Sequence, residues 1–212
     1  LPIDIQGMDI DAEELESFNP KELGSTSDSP NDDHREQIAQ VFDLLKQSSR
    51  PVILAGSGIR HAKAEKEFLE LTGLLGVPVL TSRRGADLMA DDNTYFFGRP
   101  GTYGQRSANF IIQNCDLLIS IGSRLSIPLV GRNTNSFARA ARKVVVDIDQ
   151  NELDKPTLNP DLPLAMDAGE FIKACLSYFP TTMPTYAPWI ELCHGWRQKF
   201  PPDSYIGPSL PS

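Results

Sequence analysis

The sequence predicts an α/β fold: an open, mostly parallel sheet of five to six strands with helices on both faces, Rossmann-like and of the FAD/NAD-binding type. Three observations predict it. Short apolar runs alternate with segments of helical period. Glycine or an acid stands where several of those runs end. The run LLISIG (117–122) is apolar along nearly its whole length, as a strand covered on both faces must be.

The elements follow in order. Residues 1–33 have little periodicity, many acids and Pro20, Gly24 and Pro30 among Ser/Asp clusters, so they read as an extended connection from an upstream domain. HREQIAQVFDLLKQS then places Ile38, Val41, Phe42 and Leu45 on one helical face, with residues 31–33 as cap and first-turn acids. Arg50-Pro51 leads into a strand at 52–55, and HAKAEKEFLELTGLLG reads as one helix burying Ala64, Phe68 and Leu71. VPVLT (77–81) is the next strand. The stretch 82–104 holds five glycines or prolines and reads as a long loop, a kind that is usually functional. SANFIIQNC is a helix, LLISIG a strand, 134–142 a helix, KVVVDID a strand, LPLAM a strand and AGEFIKACLSYF the last helix of this pattern. The domain so defined is 34–180. Residues 181–212 read as a C-terminal helix and a Pro/Ser-rich linker toward a downstream domain. The chain therefore reads as the middle of a longer protein.

Composition narrows the function. A chain of 212 residues with 40% hydrophobic content can build one sizeable core. The net charge of −8 argues against a nucleic-acid surface, and no apolar run is long enough for a membrane span. The three scattered cysteines, Cys115, Cys175 and Cys193, have neither metal-ligand nor disulfide spacing, which fits a reducing cytoplasm and burial as small core residues.

In an open parallel sheet a ligand sits outside the carboxyl ends of the strands. The segments there are Gly56-Ser57-Gly58, Ser82-Arg83-Arg84, Gly122-Ser123-Arg124, Asp147-Ile148-Asp149 and Asp167. Gly56-Ser57-Gly58 before a helix suits a phosphate, by close backbone approach and helix dipole; it also suits a tight turn with no ligand, because no third glycine completes the dinucleotide fingerprint. Arg124 is placed either to donate to a pyrophosphate or to form a surface ion pair. Asp147 suits a ribose hydroxyl or a turn cap. His34, His61 and His194 stand in no nucleophilic or acid–base constellation, and there is no metal-ligand cluster, nucleophile elbow or Walker lysine. The residues describe a domain that binds rather than reacts, with no catalytic and no metal-binding residue assigned.

The motifs PVILAGSGIRHAKAEKEFLELTGLLGVPVLTSRRGADLM, FGRPGT, NCDLLISIGSRL, KVVVDIDQNELDK and LPLAMDAGEFI follow in that order. Over residues 34–179 they resemble the central domain of thiamine-diphosphate-dependent enzymes of the acetolactate synthase type. LPIDI resembles the end of that family's preceding pyrimidine-binding domain, and WIELCHGWRQKF the link into its following diphosphate-binding domain.

The resemblance implies a parent enzyme that decarboxylates or condenses a 2-oxoacid such as pyruvate, using thiamine diphosphate and Mg²⁺ held by the flanking domains, as a homo-oligomer. It implies that this chain alone is inactive and holds no thiamine diphosphate. It also implies that FAD or an ADP-like nucleotide lies across the strand ends. On that implication Gly56, Ser57 and Gly58 match the loop at the flavin nucleotide, and Ser82 and Arg83 match the segment beside the isoalloxazine and ribityl groups. Arg124 matches the family's strand-end arginine, Asp147 and Ile148 the adenosine contacts, and Asp167 a later aspartate. This chain departs from the family pattern at three places. GSRLSIPLVGR replaces GARFDDRVTG, TSRRGAD places Arg83 and Arg84 where an uncharged ring usually lies, and FGRPGTYGQRSAN is slightly longer than its counterpart. The extra arginines favour an ADP-like ligand. Two other readings stay open: a degenerate structural domain without nucleotide, and an independent NAD-binding domain.

Overall fold

The structure, a computed structural model, describes residues 6–9, 11, 13, 15, 17, 19, 33–156 and 158–202. The chain divides into two units, 1–31 and 32–212. In the first, the described side chains of Met8 and Leu15 are exposed, and the Asp11 carboxylate accepts from the Glu13 amide. The cap expected at residues 31–33 lies outside the described side chains.

The second unit is a five-stranded sheet in the order β2-β1-β3-β4-β5, parallel throughout. Its strands are β1 (Pro51–Ala55), β2 (Val79–Thr81), β3 (Leu117–Ile121), β4 (Arg142–Asp147) and β5 (Leu162–Ala165). β1 and β3 are buried at every position, as a strand sandwiched between helical layers requires. Residues 95–98 extend the sheet beyond β2. The Val79 amide donates to the Tyr95 carbonyl, and the Phe97 and Thr81 amides donate to Val79 and Gly98, giving a parallel bridge from Val79 to Phe96. The long loop thus ends in a short pairing segment, which shields the edge of β2.

Helices α1 (Asp33–Gln47), α3 (Glu65–Leu75) and α7 (Ala168–Ser177) pack together, while α4 (Arg106–Asn114) packs with α8 (Ala187–Lys199). The reason is chain direction. β1 leads through α3 to β2 on one side, and the return through α4 to β3 passes β1 in the opposite sense, so a right-handed crossover puts α4 on the other face. The apolar faces are those the periodicity marks: Ile38, Val41, Phe42 and Leu45 on α1, Phe68 and Leu71 on α3, Ile111 and Ile112 on α4, and Phe171 and Ile172 on α7. Each such side chain contributes about 1.5–3 kcal/mol relative to exposure.

Two helical expectations are corrected. The segment 61–76 is not one helix. A single turn, α2 (Gly58–His61), stops at Lys63, which takes a left-handed conformation with φ 54°, and α3 restarts at Glu65. No long helix covers 134–142; after a one-turn α5 (Ile127–Val130), only a 3-10 turn at Thr134–Ser136 stands there, and Ala138 has φ 45°. One-turn α6 (Gln150–Leu153) follows β4, its first turn capped by the Asp149 carboxylate, which accepts from the Asn151 amide.

The C-terminal helix is seated in the core. The Trp189 indole N–H donates to the Pro51 carbonyl at 3.0 Å, the Tyr186 hydroxyl donates to the Leu45 carbonyl at 2.8 Å, and Cys193 is fully buried. All three cysteines are free and buried, and burial pushes each thiol up, that of Cys115 to about 12. Such thiols pack as small apolar groups.

Candidate functional site: a cationic cleft at the β1–β3 strand ends

The chain leaves β1 toward β2 on one side and later enters β3 on the other, so the sheet's switch point lies between the carboxyl ends of β1 and β3. Gly56 and Gly122 leave those ends. A Cβ on Gly56 would lie 2.1 Å from the Gly122 carbonyl oxygen, and one on Gly58 would lie 2.6 Å from the Gly122 Cα. The glycines are therefore demanded by the approach of two backbones to each other. Their amides are also engaged: Gly56 donates to the Ile121 carbonyl at 2.9 Å and Gly58 to the Gly122 carbonyl at 3.0 Å. The helix that opens there is the single turn α2, so the expected dipole of a long helix is absent at this loop. The loop forms a closed floor.

Above it lies a cleft of about 970 Å³, at the upper end of the range for small-molecule sites. Ser57, Ser82, Arg83 and Arg124 line it, together with Gly122 and Ser123. Its walls also carry Arg84, Arg99 and Lys155, so five cations and no acid line the cleft of a chain whose net charge is −8. Among the described residues, Arg83, Arg84 and Arg99 pair with no carboxylate. Concentrated positive charge with apolar walls focuses field on an anion.

Each cation is placed by local structure. Arg83 and Arg84 stand on a 3-10 turn (Arg83–Gly85) anchored by the Ser82 amide donating to the Ala55 carbonyl at 2.8 Å. Arg99 follows the pairing segment 95–98, and its amide donates to the Gln105 side chain at 2.8 Å. Arg124, with its side chain 77% exposed, donates from Nε and Nη2 to Glu152 Oε1 at 2.9 and 2.7 Å. Lys155 Nζ donates to the Arg124 carbonyl at 3.2 Å and to Glu152 Oε2. Burial pushes the Glu152 carboxyl up, but the hydrogen bonds and charges of Arg124 and Lys155 outweigh it and hold the carboxyl below its usual range. The same contact, first through the hydrogen bond and then through charge, raises Arg124. Glu152 thus serves as a brace behind two cations.

The remaining residues expected at the site do not line the cleft. Asp147 is buried at the end of β4, where its carboxylate accepts from the Asp149 amide at 3.0 Å. Ile148 beside it is 69% exposed. Asp167 caps α7, accepting from the Gly169 and Glu170 amides at 2.8 and 3.3 Å. Gly56 and Gly58 form the floor, while Arg84 lines the cleft with its expected segment and Arg99, Tyr103 and Lys155 are cleft residues outside the expected set. A sequence signal existed for Arg99, a basic residue in a long loop after a strand. None existed for Lys155, which reaches the cleft only through the turn after α6. Among the described residues there is no His/Cys/Asp/Glu cluster able to hold a metal ion and no helix long and apolar enough to cross a membrane.

The family described as the thiamine pyrophosphate enzyme central domain matches residues 38–175. Similar curated proteins include a probable acetolactate synthase large subunit of Methanococcus aeolicus, 33% identical over 82% of this chain and 28% of that protein. Another, from Methanocaldococcus jannaschii, is 32% identical over 84% of this chain and 29% of that protein. The acetolactate synthase large subunit of Corynebacterium glutamicum is 30% identical over 79% and 27%. The chain spans less than a third of the length of these relatives.

Proposed function

The chain belongs to the thiamine pyrophosphate enzyme central-domain family, and from that premise we propose that it is the nucleotide-holding central domain of an acetolactate synthase-type carboligase or decarboxylase acting on a 2-oxoacid such as pyruvate. The domain spans 34–180, with 1–33 and the end of 181–212 as connections to the pyrimidine-binding and diphosphate-binding domains. Those domains hold thiamine diphosphate and Mg²⁺ and carry the reaction; the whole enzyme is a cytoplasmic homo-oligomer. This chain supplies no catalytic group and no metal ligand.

The observation that carries the nucleotide reading is the cleft at the switch point, with five cations, no lining acid and three arginines that pair with no carboxylate among the described residues. Arginines present planar donor pairs that match phosphate oxygens. The residues fit the diphosphate of FAD or of an ADP-like nucleotide: Arg83, Arg84 and Arg99 as donors, Arg124 and Lys155 as donors braced by Glu152, and Ser57, Ser82 and Ser123 as hydroxyl partners. The Gly56 and Gly58 amides already donate within the chain, which supports side chains as the principal donors to the anion.

Calorimetric titration of the purified chain with ADP and FAD tests this. Binding that weakens at high salt and on Arg83→Ala is expected. Absence of binding by either ligand contradicts the nucleotide reading, and 2-oxoacid decarboxylation by the chain alone with thiamine diphosphate and Mg²⁺ contradicts the assignment of chemistry to other domains.

A further inference from the structure

The cations of the cleft recognise phosphate but say nothing about what the phosphate is attached to. One wall does. Tyr103 lines the cleft and is 86% exposed, the most exposed of the large hydrophobic residues described. An aromatic ring left in water normally sits on a loose loop; this one does not. The Gly104 amide donates to the Gly101 carbonyl at 3.0 Å, closing a turn whose two corner residues are Thr102 and Tyr103. Helix α4 grips the turn through Asn109, which accepts from the Gly101 amide at 2.8 Å and donates to the Gly101 carbonyl at 3.0 Å. From the other side, the Thr102 amide donates to the Pro128 carbonyl of α5 at 2.8 Å, and the Gln105 amide returns to the Arg99 carbonyl at 2.8 Å. Close packing enforces the conformation: Gly101 has φ 115°, and a Cβ on Gly104 would lie 2.4 Å from the Arg99 carbonyl oxygen.

Resting on the nucleotide reading above, we infer that Tyr103 is a ring-stacking residue that selects ligands bearing an aromatic ring over simple phosphates. The backbone of the turn is held by these hydrogen bonds before any ligand arrives, so binding does not have to order it, and the ring is carried on the cleft wall beside the arginines. Pro100, Leu125 and Leu129 line the same cleft and supply the apolar surroundings a planar ring requires. Phosphate contacts set position and the stack sets identity. A polar residue at 103 would serve the turn equally well, since none of the hydrogen bonds named above uses the Tyr103 side chain.

The test is calorimetric titration of the chain and of its Tyr103→Ala and Tyr103→Phe variants with ADP, FAD and inorganic pyrophosphate. Base–aromatic stacking predicts that Tyr103→Ala weakens ADP or FAD by roughly tenfold, while pyrophosphate binding stays within about twofold and Tyr103→Phe retains the parent affinities. Loss shared by ADP and FAD assigns the adenine to the stack, loss of FAD alone assigns the flavin, and both support the inference. Unchanged ADP and FAD affinities in Tyr103→Ala overturn it while leaving the nucleotide reading intact, as does an equal loss of pyrophosphate, which marks Tyr103 as a support of the turn. If the parent chain binds pyrophosphate but neither ADP nor FAD, the stack is also overturned. Failure of all three ligands removes the nucleotide reading and this inference together.

Discussion

The two halves of the sheet's carboxyl edge, built from the same parallel strands, put their charged residues to opposite uses. At the β4–β5 end the carboxylates of Asp147, Asp149 and Asp167 accept from the chain's own amides, two of them capping helices. At the β1–β3 end the charges lining the cleft are cations, and three of them have no carboxylate partner among the described residues. Polar groups consumed by local hydrogen bonds stabilise the fold; polar groups left facing a cleft are available to a ligand. One row of strand-end residues thus divides into a set engaged by the chain's own amides and a set that faces the cleft.

The largest effect should come from the floor that joins β1 to β3. Gly56→Ala drives a Cβ into the Gly122 backbone, with no flexible side chain to yield, and is expected to destabilise the chain by about 3 kcal/mol or more. Urea unfolding measures this; a loss under 1 kcal/mol would mean the two loops separate easily. Removing binding charge should act on affinity instead. Arg83→Ala with Arg84→Ala is expected to weaken ADP roughly 10- to 100-fold with little change in melting temperature. A shift in melting temperature without an affinity change would place these arginines among the groups that stabilise the fold.

Smaller effects are expected at the other end. Asp167→Ala removes the α7 cap and should cost ~1 kcal/mol, whereas Asp167→Asn should cost little, and neither should alter ADP affinity. Weakened ADP binding in Asp167→Ala would erase the contrast between the two ends. Glu152 gives the mildest test. Its folded carboxyl is held below its ordinary value of 4.5, so its contribution is complete above that value and is lost as the pH falls through the lower folded value. Stability measured from pH 6 to pH 3 should fall less steeply in Glu152→Gln, and an unchanged slope would show that the brace contributes no stability.

Much of the fold was legible because its signals are local. Apolar runs mark β1, β3 and β4, and helical spacing marks α1, α4 and α7 with their buried faces. The failures were also local in cause. Nothing in HAKAEK announces that Lys63 takes a left-handed conformation and splits the helix, and the Ala/Arg-rich stretch within 134–142 imitates a helix that the backbone does not form. The site was legible in part. Ser57, Ser82, Arg83 and Arg124 follow strand ends, and the topology brings them together. The spacing of the glycines is the same whether a ligand or a second backbone fills the space, and the approach of Gly122, 66 positions beyond Gly56, leaves no sequence trace. Lys155 and Tyr103 reach the cleft through a turn and a pinned loop, and such tertiary placement leaves no periodic trace.

The proposed phosphate site is the cleft between the ends of β1 and β3. A crystal structure of the chain grown with ADP tests that most directly. The account predicts diphosphate density contacted by Arg83, Arg99 and Arg124 above the Gly56–Gly122 floor. Density at the β4–β5 end instead, or a cleft without nucleotide at saturating ADP, would contradict it.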